Sequence, residues 1–161
     1  MILGVDPGAH GALALLHRDG SIACILDMPV VGVLVGGKSR DRVSAAGIAA
    51  FVREWQAKSD RLHAVIEQTQ PMSRMGEVGA FGLGKASGLV EGVLTALGVP
   101  ITLVAPRAWK KFLTVRADKG SARLKAQQTW PDHQKLFSRV KDDGRAEAAL
   151  LGLYGVRRAV A

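Results

Sequence analysis

The first 27 residues constrain the fold most, because they contain three short apolar runs separated by strong turn signals. The runs cover residues 2–6, 11–17 and 21–27. Pro7-Gly8 follows the first run, and Asp19-Gly20 lies between the second and the third. Short apolar runs joined by turns of this kind are typical of antiparallel strands. The chain is therefore expected to open with three antiparallel strands.

The rest of the chain alternates between helical and strand patterns. Strands are expected at 62–68 and 101–104, and helices at 44–55 with Ser44 as N-cap, at 80–97, from Pro106 onward, at 119–129 and at 143–157. Residues 29–43 are rich in Gly, Val and charge, and we expect a mobile connection there. This order predicts an α/β fold with a mixed five-stranded sheet flanked by helices. The length fits a single domain over 1–161.

The chain is strongly basic. Lys and Arg number 22 against 14 Asp and Glu, which gives a net charge of +8. A basic surface attracts polyanions because each cation near a phosphate releases condensed counterions. The alternative is an ordinary solubilising surface charge. The 48% hydrophobic content argues against a disordered tail.

The lone cysteine and the amino-terminal sequence indicate the cellular compartment in which the protein is expected. Cys24 lies in an apolar run, where it is expected to be a buried small side chain. With one cysteine, neither an internal disulfide nor a cysteine zinc site can form. No secretory signal precedes Asp6, and no run of about 18 apolar residues predicts a membrane span. A cytoplasmic protein without a membrane partner is expected.

Four acidic residues occupy positions where a packed fold rarely places charge. Asp6 and Glu67 each end an apolar strand, and Glu147 lies in an apolar helix four residues after Asp143. Residues four apart share a helical face, where like charges repel. Oxygen ligands of this kind are what Mg²⁺ prefers, and two such ions can drive phosphodiester hydrolysis. The pattern predicts that the four acids converge on one or two Mg²⁺ ions.

Each acid also has an ordinary structural interpretation. Asp6 could form an Asx-turn, Asp143 could cap the last helix, and Glu147 could be a solvated helix residue. The joint pattern favours the metal site over these separate interpretations. The four histidines show no metal-ligand spacing, and His63 is expected to be structural.

Five segments of the chain form a recognisable ordered set: Ile2–Gly8 around Asp6, Val65–Gln68 around Glu67, the Gly-rich stretch Phe81–Gly92, Val104–Pro106 with Trp109–Lys111, and Asp143–Ala148 around Glu147. Together they resemble RuvC-type Holliday junction resolvases. The compact stretch Val104–Pro106 with Trp109–Lys111 is most similar to the RuvC-like proteins of phages and prophages. The five segments occur in the family's order and span positions 2 to about 155.

The resemblance implies a ribonuclease-H-like fold, a homodimer, and paired nicks in four-way and other branched DNA junctions. It implies Mg²⁺ as cofactor, with Mn²⁺ as a substitute. By position, Asp6, Glu67 and Glu147 match family metal ligands and catalytic acids. Family members commonly place the other acid three residues before the last one, where this chain has Gly144. We take Asp143 as that ligand, with Asp142 in reserve.

Basic and loop residues supply the predicted DNA contacts. The resemblance implies that Lys119 stabilises charge on the scissile phosphate, and that the loop holding Arg74 and Met75 probes the junction. The DNA-binding set is Arg74, Met75, Lys110, Lys111, Lys119, Arg123 and Lys125. A solvated helix face is the alternative for each cation, and a loop anchor is the alternative for Met75.

The glycines and tryptophans have structural interpretations. Gly84, Gly88 and Gly92 share one helical face, which permits close helix approach across a dimer axis. Trp55 and Trp109 are expected to pack in the core.

Two other function classes remain open at this point. A ribonuclease H would share the metal chemistry but cut the RNA strand of hybrids. A non-catalytic nucleic-acid-binding module would use only the positive surface, although clustered acids would weaken its phosphate binding. An actin-like nucleotide-binding protein would need a second lobe that this chain lacks.

Overall fold

A computed structural model describes residues 1–59, 61–70, 76–118 and 120–158. The strands are β1 (Ile2–Asp6), β2 (Ala12–Leu16), β3 (Ile22–Asp27), β4 (Val30–Val35), β5 (Lys38–Val43), β6 (His63–Glu67) and β7 (Ile101–Val104). The α-helices are α1 (Ala45–Gln56), α2 (Glu77–Ala96), α3 (Pro106–Phe112), α4 (Ser121–Thr129) and α5 (Asp143–Arg158). Two 3₁₀ helices, Pro131–Phe137 and Val140–Asp142, precede α5.

Five strands form one mixed sheet in the order β3-β2-β1-β6-β7. The pairs β1–β2 and β2–β3 are antiparallel, whereas β6 runs parallel to both β1 and β7. The predicted five-stranded mixed sheet flanked by helices is therefore confirmed. Because β1, β3, β6 and β7 run in the same direction, their carboxyl ends lie at one edge of the sheet.

Helices cover both faces of this sheet. Successive residues of a strand point to opposite faces, so each strand contributes side chains to two hydrophobic cores. On one face, Leu3 and Val5 belong to a core cluster that also contains Ile48 of α1 and Val90 of α2. On the other face, a second cluster joins the sheet to α3, α4 and α5. Ser44 caps α1 as predicted, accepting a hydrogen bond from the Gly47 amide at 3.1 Å.

Helix α5 lies directly against β1 and positions its own first turns at the carboxyl edge of the sheet. A Cβ atom at Gly4 would overlap the carbonyl oxygen of Ala148, so only glycine permits this approach. Near its start, α5 approaches the loop that follows β1, because a Cβ atom at Gly144 would meet the His10 carbonyl oxygen. Glu147 lies between these two contacts along α5, near the end of β1.

The predicted mobile connection at 29–43 is wrong, because β4 and β5 pair there as a regular antiparallel hairpin. Gly36 and Gly37 have φ values of 57° and 76°, which form the tight two-residue turn that joins the strands. The apolar run of β4 lacks the alternation that identifies a half-buried strand, so its pattern gave no strand signal. Helix α2 also begins three residues before its predicted start, at Glu77.

Three predicted functional residues, Arg74, Met75 and Lys119, lie outside the described residues. Among the helices of the described ranges, none is both long and apolar enough to cross a membrane.

Candidate active site

Two acids meet because neighbouring parallel strands end side by side. Val5 pairs with Ile66, and the next residues along the two strands are Asp6 and Glu67. Residues in register on adjacent parallel strands lie on the same side of the sheet. Strand register alone therefore places the two carboxylates next to each other.

Glu147 of α5 lies near these two acids, because α5 packs directly on β1 at Ala148, the residue after Glu147. Burial, followed by the negative charges of Glu147 and Glu67, raises the pKa of Asp6 to about 7. Repulsion of this kind weakens with distance and screening, so it is appreciable here because the three carboxylates are neighbours. We name Asp6, Glu67 and Glu147 the acidic cluster.

Trp109 of α3 orients Glu67. The indole Nε1 donates a hydrogen bond of 2.7 Å to Glu67 Oε2, although the tryptophan ring itself is fully buried. Burial raises the pKa of Glu67 and the charge of Glu147 adds to this, while the indole hydrogen bond opposes it. The side chain predicted only to pack in the core therefore also holds a member of the acidic cluster.

Lys110 supplies the positive charge of the acidic cluster. Its Nζ atom lies 2.8 Å from Glu147 Oε1, and about a quarter of each side chain is exposed. Burial lowers the pKa of Lys110, but the hydrogen bond and charge of Glu147, with Glu67 and Asp6, bring that pKa above its usual value. One ammonium group therefore faces three carboxylates.

Asp143 and Asp142 point to other partners. Asp143 Oδ1 accepts a hydrogen bond of 2.7 Å from Arg123 Nε of α4, and the Asp143 side chain is 42% exposed. Asp142 is buried, and burial raises its pKa, but hydrogen bonds from the Arg139 side chain and backbone lower it below the usual value. The structure thus brings together three of the four predicted acids and places the fourth at an ion pair.

Gly144 explains why the acid pair differs from the spacing common in the resembled family. A side chain at this position would collide with the backbone of His10 and Gly11. No acid can stand three residues before Glu147 unless the loop after β1 moves.

The acidic cluster has the chemistry of a divalent-metal site. Carboxylate oxygens are the ligands that Mg²⁺ and Mn²⁺ prefer, and a bound cation would relieve the repulsion that raises the pKa of Asp6. Across the described ranges, however, no three carboxylate, imidazole or thiol groups are gathered tightly enough to enclose an ion. The three carboxylates are suitable ligands for a hard cation. In this structure their neighbouring positive charge is the Lys110 ammonium group, which is bonded to Glu147.

The other predicted DNA-binding residues lie on α3 and α4. Lys111 is exposed next to Lys110, and Lys125 is half-buried on α4. Arg123 forms an ion pair with Asp143, and Lys110 forms one with Glu147. Two of these predicted phosphate contacts are thus engaged within the protein.

One further contact was not predicted from the sequence. Arg145 of α5 makes two hydrogen bonds, of 2.5 and 2.6 Å, to the carboxylate of Asp27 at the end of β3. Arg145 is two residues from Glu147, so the pair ties the helix that carries this acid to an outer strand of the sheet. The two residues are 118 positions apart, and neither has a sequence pattern that identifies the other.

Solved structures of Thermus thermophilus RuvC are similar to this chain. One has a TM-score of 0.57 and 19% sequence identity, and the match covers 98% of this chain and 96% of RuvC. Another, of T. thermophilus RuvC in complex with a Holliday junction substrate, has a TM-score of 0.56 and 18% identity, with coverage of 99% and 97%. No family model and no curated protein matches the sequence. The chain therefore has the RuvC-type, ribonuclease-H-like fold that the sequence predicted.

The ion pair between Lys110 and Glu147 should stabilise the fold measurably. In EDTA at neutral pH, Lys110→Met should lower the free energy of unfolding by about 1 to 2 kcal/mol, because it leaves three close carboxylates without their cation. The double variant with Glu147→Gln should recover part of this loss, since it removes one of the repelling charges. Urea unfolding of the wild type, both single variants and the double variant measures the coupling.

Lys58→Met is the matched control, because Lys58 pairs with Glu54 on the surface, with more than half of each side chain exposed. Loss of that pair should change stability by less than about 0.5 kcal/mol. Equal losses from the two lysine variants, or strictly additive effects of Lys110→Met and Glu147→Gln, would contradict this account of the acidic cluster.

Proposed function

We propose that this chain is a metal-dependent endonuclease that nicks four-way and other branched DNA junctions. The proposal is carried by one observation, the placement of Asp6 and Glu67 at the ends of adjacent parallel strands with Glu147 of the packed helix α5 beside them, on a chain with a net charge of +8. A protein that only bound nucleic acid would gain nothing from three repelling carboxylates beside a phosphate backbone. The RuvC-type fold and the Holliday junction in the T. thermophilus RuvC structure support the choice of substrate.

The proposed metal ligands are Asp6, Glu67 and Glu147, with Asp143 as a further ligand if it leaves Arg123. Mg²⁺, or Mn²⁺ in its place, would activate the attacking water and stabilise the leaving oxygen when bound there. A bound cation would favour the ionised form of Asp6 most, because burial and two neighbouring negative charges raise its pKa. Glu67 is fixed in orientation by the Trp109 indole.

We propose two roles for Lys110 in this site. In the free protein its ammonium group offsets the charge of Glu147. With DNA bound, the same group is close enough to the acidic cluster to contact the scissile phosphate. Lys119 is proposed to stabilise developing charge on that phosphate, as the family resemblance implies.

The remaining predicted cations and loop residues are proposed to hold the arms of the junction. Lys111 and Lys125 would contact phosphates beside α3 and α4, and Arg123 would do so on leaving Asp143. Arg74 and Met75 would probe the crossover, since an apolar side chain can separate stacked base pairs. Contacts to phosphate fix the register of the protein on DNA without reading its sequence.

Substitution of Asp6 tests the catalytic part of the proposal. Asp6→Asn should abolish Mg²⁺-dependent cutting of a labelled four-way junction, because a neutral amide cannot replace the carboxylate as a ligand. Junction binding in EDTA should remain or increase slightly, since one negative charge beside the phosphates is lost. Gel assays of cleavage and fluorescence anisotropy of binding report the two quantities separately.

Asp132→Asn is the matched control, because Asp132 is exposed on the 3₁₀ helix Pro131–Phe137, away from the acidic cluster. It should cut the junction at the wild-type rate. Full activity of Asp6→Asn would remove Asp6 from the mechanism. Cleavage of RNA–DNA hybrids by the wild type, with junctions left intact, would establish the ribonuclease H alternative instead.

We also propose a homodimer formed through α2. Gly84, Gly88 and Gly92 lie on one exposed face of this helix, and a Cβ atom at any of them would meet no other atom within 4 Å. Phe81 on the same helix is 73% exposed. A second copy of α2 could approach such a face closely, and two copies would provide two active sites for paired nicks.

Light scattering tests the dimer. The wild type should have a mass of about 34 kDa, twice the 17.0 kDa of the chain. Gly88→Arg should lower this toward the monomer mass, because a long charged side chain would separate the helices. A wild-type protein that stays monomeric at all concentrations, with and without junction DNA, would contradict the dimer.

A further inference from the structure

The hairpin formed by β4 and β5 is a two-stranded ribbon separate from the five-stranded sheet. Each strand has six residues, which corresponds to a length of about 20 Å. The pairing is regular from Val30 opposite Val43 to Val35 opposite Lys38. The Gly36-Gly37 turn fixes this register, so the face on which each side chain lies is defined.

One face of the ribbon carries all of its positive charge. Directly opposite residues share a face, and the pairs Val31–Arg42, Val33–Arg40 and Val35–Lys38 alternate with the others along the ribbon. We name Lys38, Arg40 and Arg42 the basic face. The only acid of the ribbon, Asp41, lies on the opposite face, across from Gly32.

The root of the ribbon directs the basic face away from the protein. Val43 is 7% exposed and packs in the core cluster that also contains Met28 and Ile48. Because Arg42 precedes Val43 on the strand, its side chain points to the other side. Lys38, Arg40 and Arg42 are all exposed.

The ribbon starts at the sheet edge that holds the acidic cluster. Ala12 of β2 pairs with Asp6 on one side and with Asp27 on the other, so the three residues lie in one row. At the usual strand spacing, the backbone of Asp27 is about 10 Å from that of Asp6. The ribbon begins three residues later, and the Arg145–Asp27 ion pair ties its root to α5.

We propose that the ribbon is a DNA-binding arm whose basic face contacts the phosphate backbone of a duplex arm held at the acidic cluster. This inference rests on the proposed function, since it assumes that DNA is bound there. Side chains two apart on a strand lie about 7 Å from one another, so three cations in a row can follow a backbone along the ribbon. Arginine forms paired hydrogen bonds with phosphate oxygens, which suits Arg40 and Arg42 to this contact.

Charge complementarity favours DNA over a second copy of this chain as the occupant of the basic face. A copy with a net charge of +8 would be repelled by three further cations. The ribbon also has exposed apolar side chains that a protein partner could contact: Leu34, on the face opposite to the cations, is 80% exposed, and Val31 and Val35, beside the cations, are 49% and 39% exposed. The experiment below therefore measures mass as well as DNA binding.

The salt dependence of DNA binding tests the ribbon. The triple variant Lys38→Gln, Arg40→Gln, Arg42→Gln is compared with the wild type by anisotropy of a fluorescein-labelled four-way junction in EDTA over a KCl series. The logarithmic salt slope should fall by about 2.7, from roughly 0.9 for each of three lost phosphate contacts, and affinity should weaken at least tenfold. The charge-preserving variant Arg40→Lys, Arg42→Lys should keep the wild-type slope.

Arg18→Gln, Arg53→Gln, Arg61→Gln is the matched control. It removes the same charge from exposed side chains, and Arg18 and Arg61 lie beside Met1 at the opposite end of β1. Circular dichroism melts check that all variants are folded. The control should keep the wild-type slope if the ribbon contacts DNA.

Three results would overturn the assignment. Equal losses in the two triple variants would mean that only net charge matters, and an unchanged slope in the ribbon variant would mean that the ribbon does not touch DNA. Loss of dimer mass in the ribbon variant with DNA binding intact would make the ribbon a protein interface. If the wild type bound no DNA at all, the proposed function would fail together with the ribbon, which none of the other outcomes implies.

Discussion

Repulsion among three carboxylates at one sheet edge is the constraint on which the candidate active site depends. Asp6 and Glu67 cannot separate, because they end neighbouring strands in fixed register, and Glu147 is held above them by the direct packing of α5 on β1. Burial makes their ionisation costly, which is why the pKa of Asp6 rises to about 7. Protonation of Asp6 or a nearby cation relieves such an arrangement, and Lys110 supplies a cation in the free protein. Acids that cost stability at a defined place are typical of sites kept for chemistry.

The strands of the main sheet and the acids at their ends were predictable, because turn signals and apolar runs are local properties of the sequence. The carboxyl ends of parallel strands lie at one edge of a sheet, so the sequence alone was enough to place Asp6 and Glu67 near each other. The partners of these acids were not predictable in the same way. Trp109 and Lys110 reach the cluster from α3, and the sequence does not specify how that helix lies against β6.

Residues 29–43 and Asp143 differ from the simple sequence pattern for the same physical reason, since in each the pattern was local and the deciding contact was not. Asp143 shares a helical face with Glu147, but α5 begins at Asp143, where Arg123 of α4 pairs with its carboxylate. Its role as a metal ligand stays a prediction. Residues 29–43 lack the alternation of a half-buried strand because both faces of the ribbon are largely exposed. Cross-strand pairing and a glycine turn stabilise the ribbon without a hydrophobic face to mark it.

The central claim is that the acidic cluster is a divalent-metal site in which Lys110 takes the place of the metal's charge until an ion binds. Anomalous diffraction from crystals grown with Mn²⁺ tests this directly, because the signal locates the ion itself. The account predicts a peak with oxygen ligands from Asp6, Glu67 and Glu147, and the Lys110 Nζ atom displaced from Glu147. A map without a peak at these carboxylates, with Lys110 still bonded to Glu147 at saturating Mn²⁺, would contradict it.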